Sequence, residues 1–338
     1  AGVGELLGYG LRFFSGILSD KTRRYWLITI VGYVVNLLAV PLLALTHHWP
    51  MAVALMINER IGKSIRTPAR DVMLSHAAAT VGRGWGFAVH EAMDQIGAML
   101  GPVIVMIVLA ISGSYRYAFA ILAIPAILAI IVLLIARFNY PHPQKLETKQ
   151  AEIGDGKLPA AFWMYLAAIG LVAAGFADYP LIAFHIKQKD IFADKWIPLL
   201  YAVAMGVDGL AALLFGKWYD KKKLLSLATA IAISSLFAIF AFSLSPTAIV
   251  VGILLWSVGM GAQESIIRAA VADFVPTAKR GTGYGIFNAG YGIMWFLGSA
   301  LMGVLYDFSL PALIGFSVLS QAASLPLLIG TQKHFAKS

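Results

Sequence analysis

The sequence contains no cysteine, which excludes disulfides, thiolate metal sites and cysteine nucleophiles. Charge is scarce as well: Asp, Glu, Lys and Arg make up 13% of the 338 residues, against about 25% in an ordinary soluble domain. That is too little to cover the surface of a soluble globule. The polar/apolar alternation of a membrane β-barrel strand is missing from runs such as residues 121–135. Gly-x-x-x-x-Gly-Lys-Ser/Thr, His-Glu-x-x-His and Gly-x-Ser-x-Gly are absent too, so P-loop ATP hydrolysis, zinc proteolysis and hydrolase-type ester cleavage are not expected. The first apolar stretch, residues 1–18, holds Glu5 and Arg12 and lacks the basic leader of a signal peptide.

What is present is apolar: 59% of the residues are of the AVILMFWYC set. A helix needs about 20 mostly apolar residues to cross a bilayer. Eleven such spans can be read, near 1–18, 25–45, 50–66, 86–111, 115–136, 159–184, 196–216, 224–244, 247–266, 283–305 and 310–330. The expected class is an all-α polytopic membrane protein. Positive charge sorts its loops. Lys21, Arg23, Arg24, Arg83, Arg137, Lys145, Lys221 and Arg280 fall with most other basic residues on one side, whereas the opposite side carries only Arg116, Lys187, Lys189 and Lys195. The basic side is expected to be cytoplasmic, with the C-terminus inside. The net charge of +9 therefore reads as membrane topology and not as nucleic-acid binding.

The longest polar stretch, residues 138–158, separates five spans from six and reads as a cytoplasmic linker between two bundles, 1–137 and 159–338. The bundles repeat. At an offset of 200, Gly16, Asp20 and Lys21 fall on Gly216, Asp220 and Lys221. At 197, Arg83, Gly84, Gly86, Ala92 and Gly101 fall on Arg280, Gly281, Gly283, Ala289 and Gly298. The span at 159–184 has no counterpart at this offset, so one helix is expected to be missing ahead of Ala1, with a natural eleven-helix chain as the other reading.

Two parallel six-helix halves about a cytoplasmic linker is the plan of major facilitator superfamily transporters, and the motifs resemble that family. Gly16-Ile-Leu-Ser-Asp20-Lys21-Thr-Arg23-Arg24 resembles its signature loop after the second helix, with Arg23 where the family usually has Gly; Gly216 to Lys221 is similar to the weaker second copy. Gly97-Ala-Met-Leu-Gly101-Pro102 resembles the front of the family's antiporter motif, and Arg60-Ile-Gly62 part of its fourth-helix arginine motif. The resemblance implies a fold of two pseudo-symmetric six-helix bundles, eleven of the twelve helices being present, and transport by alternating access.

Ionisable residues inside spans cost a few kcal/mol unless paired or wet, so each is a functional candidate. His90, Glu91 and Asp94 are the densest group; Asp94, about 12 Å along its helix from Gly86, suits proton coupling by depth. The Glu59 and Arg60 pair is also mid-membrane, for coupling or for structural pairing. Arg12, Asp178 beside Pro180, Asp208, Asn288 and Tyr291 are candidates for the substrate cavity, with packing or surface exposure as the competing reading. Asp20 and Asp220 could dock on the helix starts near Gly281 and Gly84, each as a cytoplasmic latch. Glu264 and Arg268, at i and i+4, read with Arg70, Asp71 and Asp273 either as an inner gate or as a solvated ion-pair cluster.

The expected function is proton-coupled secondary transport of a small, lipophilic or weakly cationic molecule across the cytoplasmic membrane. Export by antiport is favoured over import by symport through the Gly97 to Pro102 resemblance. A non-transporting sensor or assembly subunit, and a membrane enzyme using His90 and Asp94, are the other readings. No cofactor or metal is expected, and the partners are substrate, protons and the bilayer, with the chain a monomer.

Overall fold

Backbone N–H and C=O groups find no water in a hydrocarbon core, so a spanning segment must bond within itself. Runs rich in Leu, Ile and Ala meet that demand as helices. The computed structural model describes residues 2–146, 158–193 and 196–335, and no strand occurs among them. Residues 147–157, the centre of the expected linker, lie outside the described residues. The helices are α1 (Gly2–Thr22), α2 (Tyr25–Leu42), α3 (Trp49–Ala77), α4 (Arg83–Ser112), α5 (Tyr115–Ile121), α6 (Ala123–Asn139), α7 (Ala160–Gly175), α8 (Tyr179–Gln188), α9 (Trp196–Lys222), α10 (Leu224–Ser234), α11 (Phe237–Ala241), α12 (Pro246–Phe274), α13 (Arg280–Phe308) and α14 (Leu310–Phe335).

Among the described residues, nine helical segments are long and apolar enough to cross a membrane. α1 and α3 occupy the other two expected positions as helices of 21 and 29 residues. Their charges, Arg12, Asp20 and Lys21 on α1 and Glu59 to Asp71 on α3, set them apart from the nine. The segment from α5 through α6 is the most apolar, with a mean hydropathy of 3.1 and only 11% of its window buried within the protein. Ile124, Ile127, Leu128, Ile131 and Val132 are exposed along it, a surface that lipid tails cover without cost.

Contacts divide the chain into two compact units. Unit 1 comprises Ala1–Thr80, Gly97–Gly154 and Pro276–Ala289; unit 2 comprises Val81–Ile96, Asp155–Val275 and Gly290–Ser338. In unit 1, α3 packs on both α1 and α2. Asn36 donates its side-chain amide to the Glu59 carboxylate at 2.7 Å, and the Ser15 hydroxyl donates to the Ile65 carbonyl at 2.5 Å. In unit 2, α12 packs on α9 and α14 on α7. Small residues let these backbones approach, as helices in lipid require: a Cβ on Gly261 would collide with the Asp208 carbonyl, and the Ser317 and Ser320 hydroxyls donate to carbonyls of Gly175 and Leu171 at 2.6 and 2.8 Å. The span at 159–184 is broken at residues 176–178, between α7 and α8. The break is held rather than loose, because the Trp256 indole N–H donates to the freed Ala177 carbonyl at 2.8 Å and Phe176 packs among Phe237, Trp256 and Trp295.

The loops after α1 and α9 repeat one another in backbone conformation. Arg23 and Lys223, related by the offset of 200, have φ of 53° and 50°. Arg23 thus makes the left-handed turn that the related motif usually assigns to Gly, at a cost of about 1 kcal/mol. Arg23→Gly should therefore raise the thermal midpoint of the detergent-solubilised protein by a few degrees, and an unchanged or lower midpoint would show that the turn carries no strain.

Candidate functional site

Two aspartates cap the starts of two helices. The first turn of a helix presents unpaired N–H groups and the positive end of the dipole. Asp20, just past the apolar run of α1, accepts the Gly281 N–H at 2.9 Å on Oδ1 and the Thr282 N–H at 2.6 Å on Oδ2, at the start of α13. The Tyr25 hydroxyl donates to the same carboxylate at 3.2 Å. Burial pushes the Asp20 carboxyl above its usual range, against the pull of the Thr282 and Gly281 N–H groups. Asp220, at the end of α9, accepts the Gly84 and Trp85 N–H groups at 2.8 Å each, at the start of α4. Both contacts require glycine. A Cβ on Gly16 would strike the Gly281 carbonyl, and one on Gly216 would strike Ala88 and the Gly84 carbonyl. Lys21, Arg24 and Lys221 of the same loops are exposed.

Behind each cap lies an arginine that opens the capped helix. Arg83 forms an ion pair with Asp273 of α12, which also accepts the Tyr219 hydroxyl at 2.8 Å and the Lys223 ammonium at 3.0 Å. Arg280, at the matching position, reaches Ser75 at 3.2 Å and His76 at 3.3 Å on α3. Asp71 is fully buried and accepts Arg70 Nε and Nη2 at 2.9 and 2.8 Å.

About 10 Å further along α4, unit 2 gathers three carboxyl groups. Glu91 of α4, Asp208 of α9 and Glu264 of α12 bring oxygens within 4.8 Å of one another. Glu91 is 3% exposed and Asp208 is fully buried. Glu91 Oε1 accepts the Gln95 amide at 2.9 Å, and Oε2 pairs with the Arg268 guanidinium. Gln95 also donates to Glu264 at 3.3 Å, while Arg268 Nε donates to the Glu264 main-chain carbonyl at 2.7 Å. Neither oxygen of Asp208 has a hydrogen-bond partner among the described residues. Three carboxyl groups face one guanidinium, a deficit of positive charge that protons or another bound cation can fill.

The remaining candidates lie elsewhere. Asp94 is turned by about 100° from Gln95 and its side chain is 59% exposed, with His90 Nδ1 at 3.8 Å. The burial expected at Asp94 falls instead on Glu91. Arg12 Nη1 donates to Asn288 at 3.0 Å and its guanidinium lies over the Tyr9 ring at 4.2 Å; Asn288 in turn donates to the Tyr284 carbonyl at 2.7 Å. Glu59 is held by Asn36, and Arg60 beside it is exposed. Asp178 accepts the Trp295 indole N–H at 2.6 Å and the Ser299 hydroxyl at 2.8 Å, lining a cavity of about 290 Å³ with Pro180, Leu181 and Phe184. Tyr291 stacks near Trp295 at 5.5 Å. Side chains at Gly97 and Gly101, which precede Pro102, would meet nothing within 4 Å, so these glycines serve no helix contact among the described residues. Sequence reasoning separated Asp208 and Glu264 from Glu91 and passed over Gln95 and the Arg83–Asp273 pair. The repeat offset held the missing signal, since it lines up all three helices.

The sequence pattern of the Major Facilitator Superfamily matches residues 5–299. The chain belongs to the major facilitator superfamily. An uncharacterized protein of Mycobacterium bovis is 42% identical over 320 residues, covering 93% of this chain and 78% of the relative. An uncharacterized MFS-type transporter of Methanocaldococcus jannaschii is 25% identical over 320 residues, covering 91% and 79%. Among solved structures, the human organic anion transporter MFSD10 (TETRAN) superposes with a TM-score of 0.72 at 12% identity, over 98% of this chain and 81% of that one. The major facilitator fold is that of multi-pass membrane transporters for small molecules, not of an enzyme.

In this member of the superfamily the Asp220 cap can be weakened without adding bulk. Asp220→Asn keeps one acceptor oxygen and loses the other together with the charge, worth about 1.5 kcal/mol. A cysteine at Ala88, which is fully buried against Gly216, the sole thiol in the Ala88→Cys chain, should then react with a water-soluble maleimide about tenfold faster than without Asp220→Asn; equal rates would mean the cap does not hold α4.

Proposed function

We propose that the protein exports a small organic molecule across the cytoplasmic membrane in exchange for protons, by alternating access. The observation that carries this reading is the pair of matching caps, Asp20 on Gly281 and Thr282 and Asp220 on Gly84 and Trp85. Each joins a helix of one sequence half, 1–137 or 159–338, to a helix of the other. Both lie on the side that the basic loops mark as cytoplasmic. A carboxylate on a helix N-terminus is strong enough to hold and weak enough to release, because its partners are a few N–H groups that water can replace. The caps therefore act as latches that close the cytoplasmic side and open to let the substrate in.

Exchange for protons is supported by the likeness of Gly97 to Pro102 to the superfamily's antiporter motif and by the carboxyl groups held inside spans. Few charges within the spans and 12% aromatic residues suit a lipophilic or weakly cationic substrate. The protein works as a monomer, with its linker and C-terminus in the cytoplasm and no cofactor.

Everted vesicles with an inside-acid gradient and a fluorescent pH probe test this directly. Addition of organic cations, drugs, sugars and acids in turn should give collapse of the gradient with at least one class. No collapse with any compound, from vesicles containing folded protein, sinks the export reading.

A further inference from the structure

The acid cluster of unit 2 is not something the repeat demands. At the offset of 200, Asp208 corresponds to Gly8 and Glu264 to Ser64; at 197, Glu91 corresponds to Asn288. The equivalent place in unit 1 is built from these neutral residues. A Cβ on Gly8 would meet the Ser64 hydroxyl at 3.5 Å, and Asn288 accepts from Arg12. Among the described side chains, the same helix architecture thus stands with no carboxyl group at these positions in one copy and three in the other. Packing does not explain them.

The bonding within the cluster separates their roles. Both oxygens of Glu91 are spent, one on Gln95 and one on Arg268, so this carboxylate is ionised and neutralised. Glu264 places a carboxyl oxygen within 4.8 Å of one on Glu91 and shares the Gln95 amide with it. Two carboxyl groups this close repel unless one holds a proton, and with Arg268 paired to Glu91 the proton falls to Glu264. Asp208 is fully buried and points both oxygens into the cluster without a partner; Gln95 is near, but its two amide hydrogens go to Glu91 and Glu264. A buried carboxylate without a hydrogen-bond donor is unfavourable, and the neutral acid is not. The groups facing Asp208 are Glu91 and Gln95 from α4, Glu264 and Arg268 from α12, and Tyr201 from α9 itself. α10, also packed on α9, has no titratable side chain, and His185 of α8 is engaged with Tyr306 and the Ser243 carbonyl.

We infer that Asp208 and Glu264 carry two exchangeable protons, and that their occupancy controls the contact of α4 with α9 that the Asp220 cap closes. The inference rests on the proton-coupled reading above and names the site for it. With both protons bound, the cluster is neutral: Glu91 balances Arg268, and α4 can lie against α9 and α12. When water reaches the cluster, each acid gives its proton to water. Three carboxylates then face one guanidinium across the boundary between α4 and its two neighbours, and their repulsion drives α4 away. The same helix pair carries the Asp220 cap, seven residues back along α4 and twelve along α9, so separation at the cluster pulls on the latch. Closure is favoured at low pH and lost as pH rises, since the closed arrangement binds more protons.

Infrared difference spectroscopy of the detergent-solubilised protein, titrated between acid and alkaline pH, reads the protons without any flux. A carboxylic-acid carbonyl band should disappear as pH rises and should shift in D2O. Asp208→Asn and Glu264→Gln should each remove part of it, and Asp208→Glu should restore the Asp208 share. In parallel, spin labels at Val81→Cys and Lys221→Cys should show a short-distance population several-fold larger at acid than at alkaline pH, a ratio that the two neutral variants bring to one. A spectrum without the band, or a pH-dependent distance ratio unchanged in both variants, overturns the inference, as does saturable binding of Mn2+ or Na+ that removes the band at constant acid pH. A band present in protein that collapses no gradient in vesicles would instead count against the export reading and leave the proton site standing.

Discussion

The organisation of this protein turns on a carboxylate docked on the start of a helix. Asp20 and Asp220 each accept two successive backbone N–H groups, and that geometry is reached only because glycine meets glycine where the helices cross. Gly16 against Gly281 and Gly216 against Gly84 bring the backbones so near that a single methyl group would block the approach. The motif loop, the left-handed residues Arg23 and Lys223 that turn the chain away after it, and the arginines that open α4 and α13 all serve to aim those two carboxylates. Remove the close approach and the remaining charges in the loops are ordinary topological markers.

Much of this was legible in the sequence, for physical reasons that can be named. Apolar runs of span length have no backbone partner in lipid other than themselves, so the all-α class followed from composition. The repeat offset paired Asp20 with Asp220 and Gly281 with Gly84, and the helix dipole then supplied a destination for each aspartate. Burial was harder to read. Asp94 and Glu91 differ by three positions on one helix, and only the neighbours of that helix decide which faces inward. The convergence of Glu91, Asp208 and Glu264 from three helices is tertiary information. Its trace in the sequence is comparative: neutral Gly8, Ser64 and Asn288 stand where the second copy of the architecture has acids. The same holds for the turn at Arg23, where the left-handed conformation persists in a residue that does not favour it, because the aspartate ahead of it must be placed.

The two copies of the repeat have thus kept their mechanical parts and diverged in their chemistry. Caps, crossing glycines and helix-opening arginines occur in both. Carboxyl groups inside the membrane gather around α4 in one, while the other has an arginine, a serine and an amide around α13. A shared framework with one charged interior is what the proposed exporter requires if the gain and loss of the two protons are to drive a motion in which both latches take part.

That joint motion is the central claim, and distance measurement addresses it most directly. With no native cysteine, spin labels can be placed in pairs, at Lys21 and Lys279 across the Asp20 cap and at Val81 and Lys222 across the Asp220 cap, in protein held in lipid nanodiscs. The account predicts a dominant short distance for each pair, and a longer population that grows in both pairs when either Asp20 or Asp220 is changed to Asn. Distances unaffected by these changes, or a change confined to the pair beside the altered residue, would contradict it.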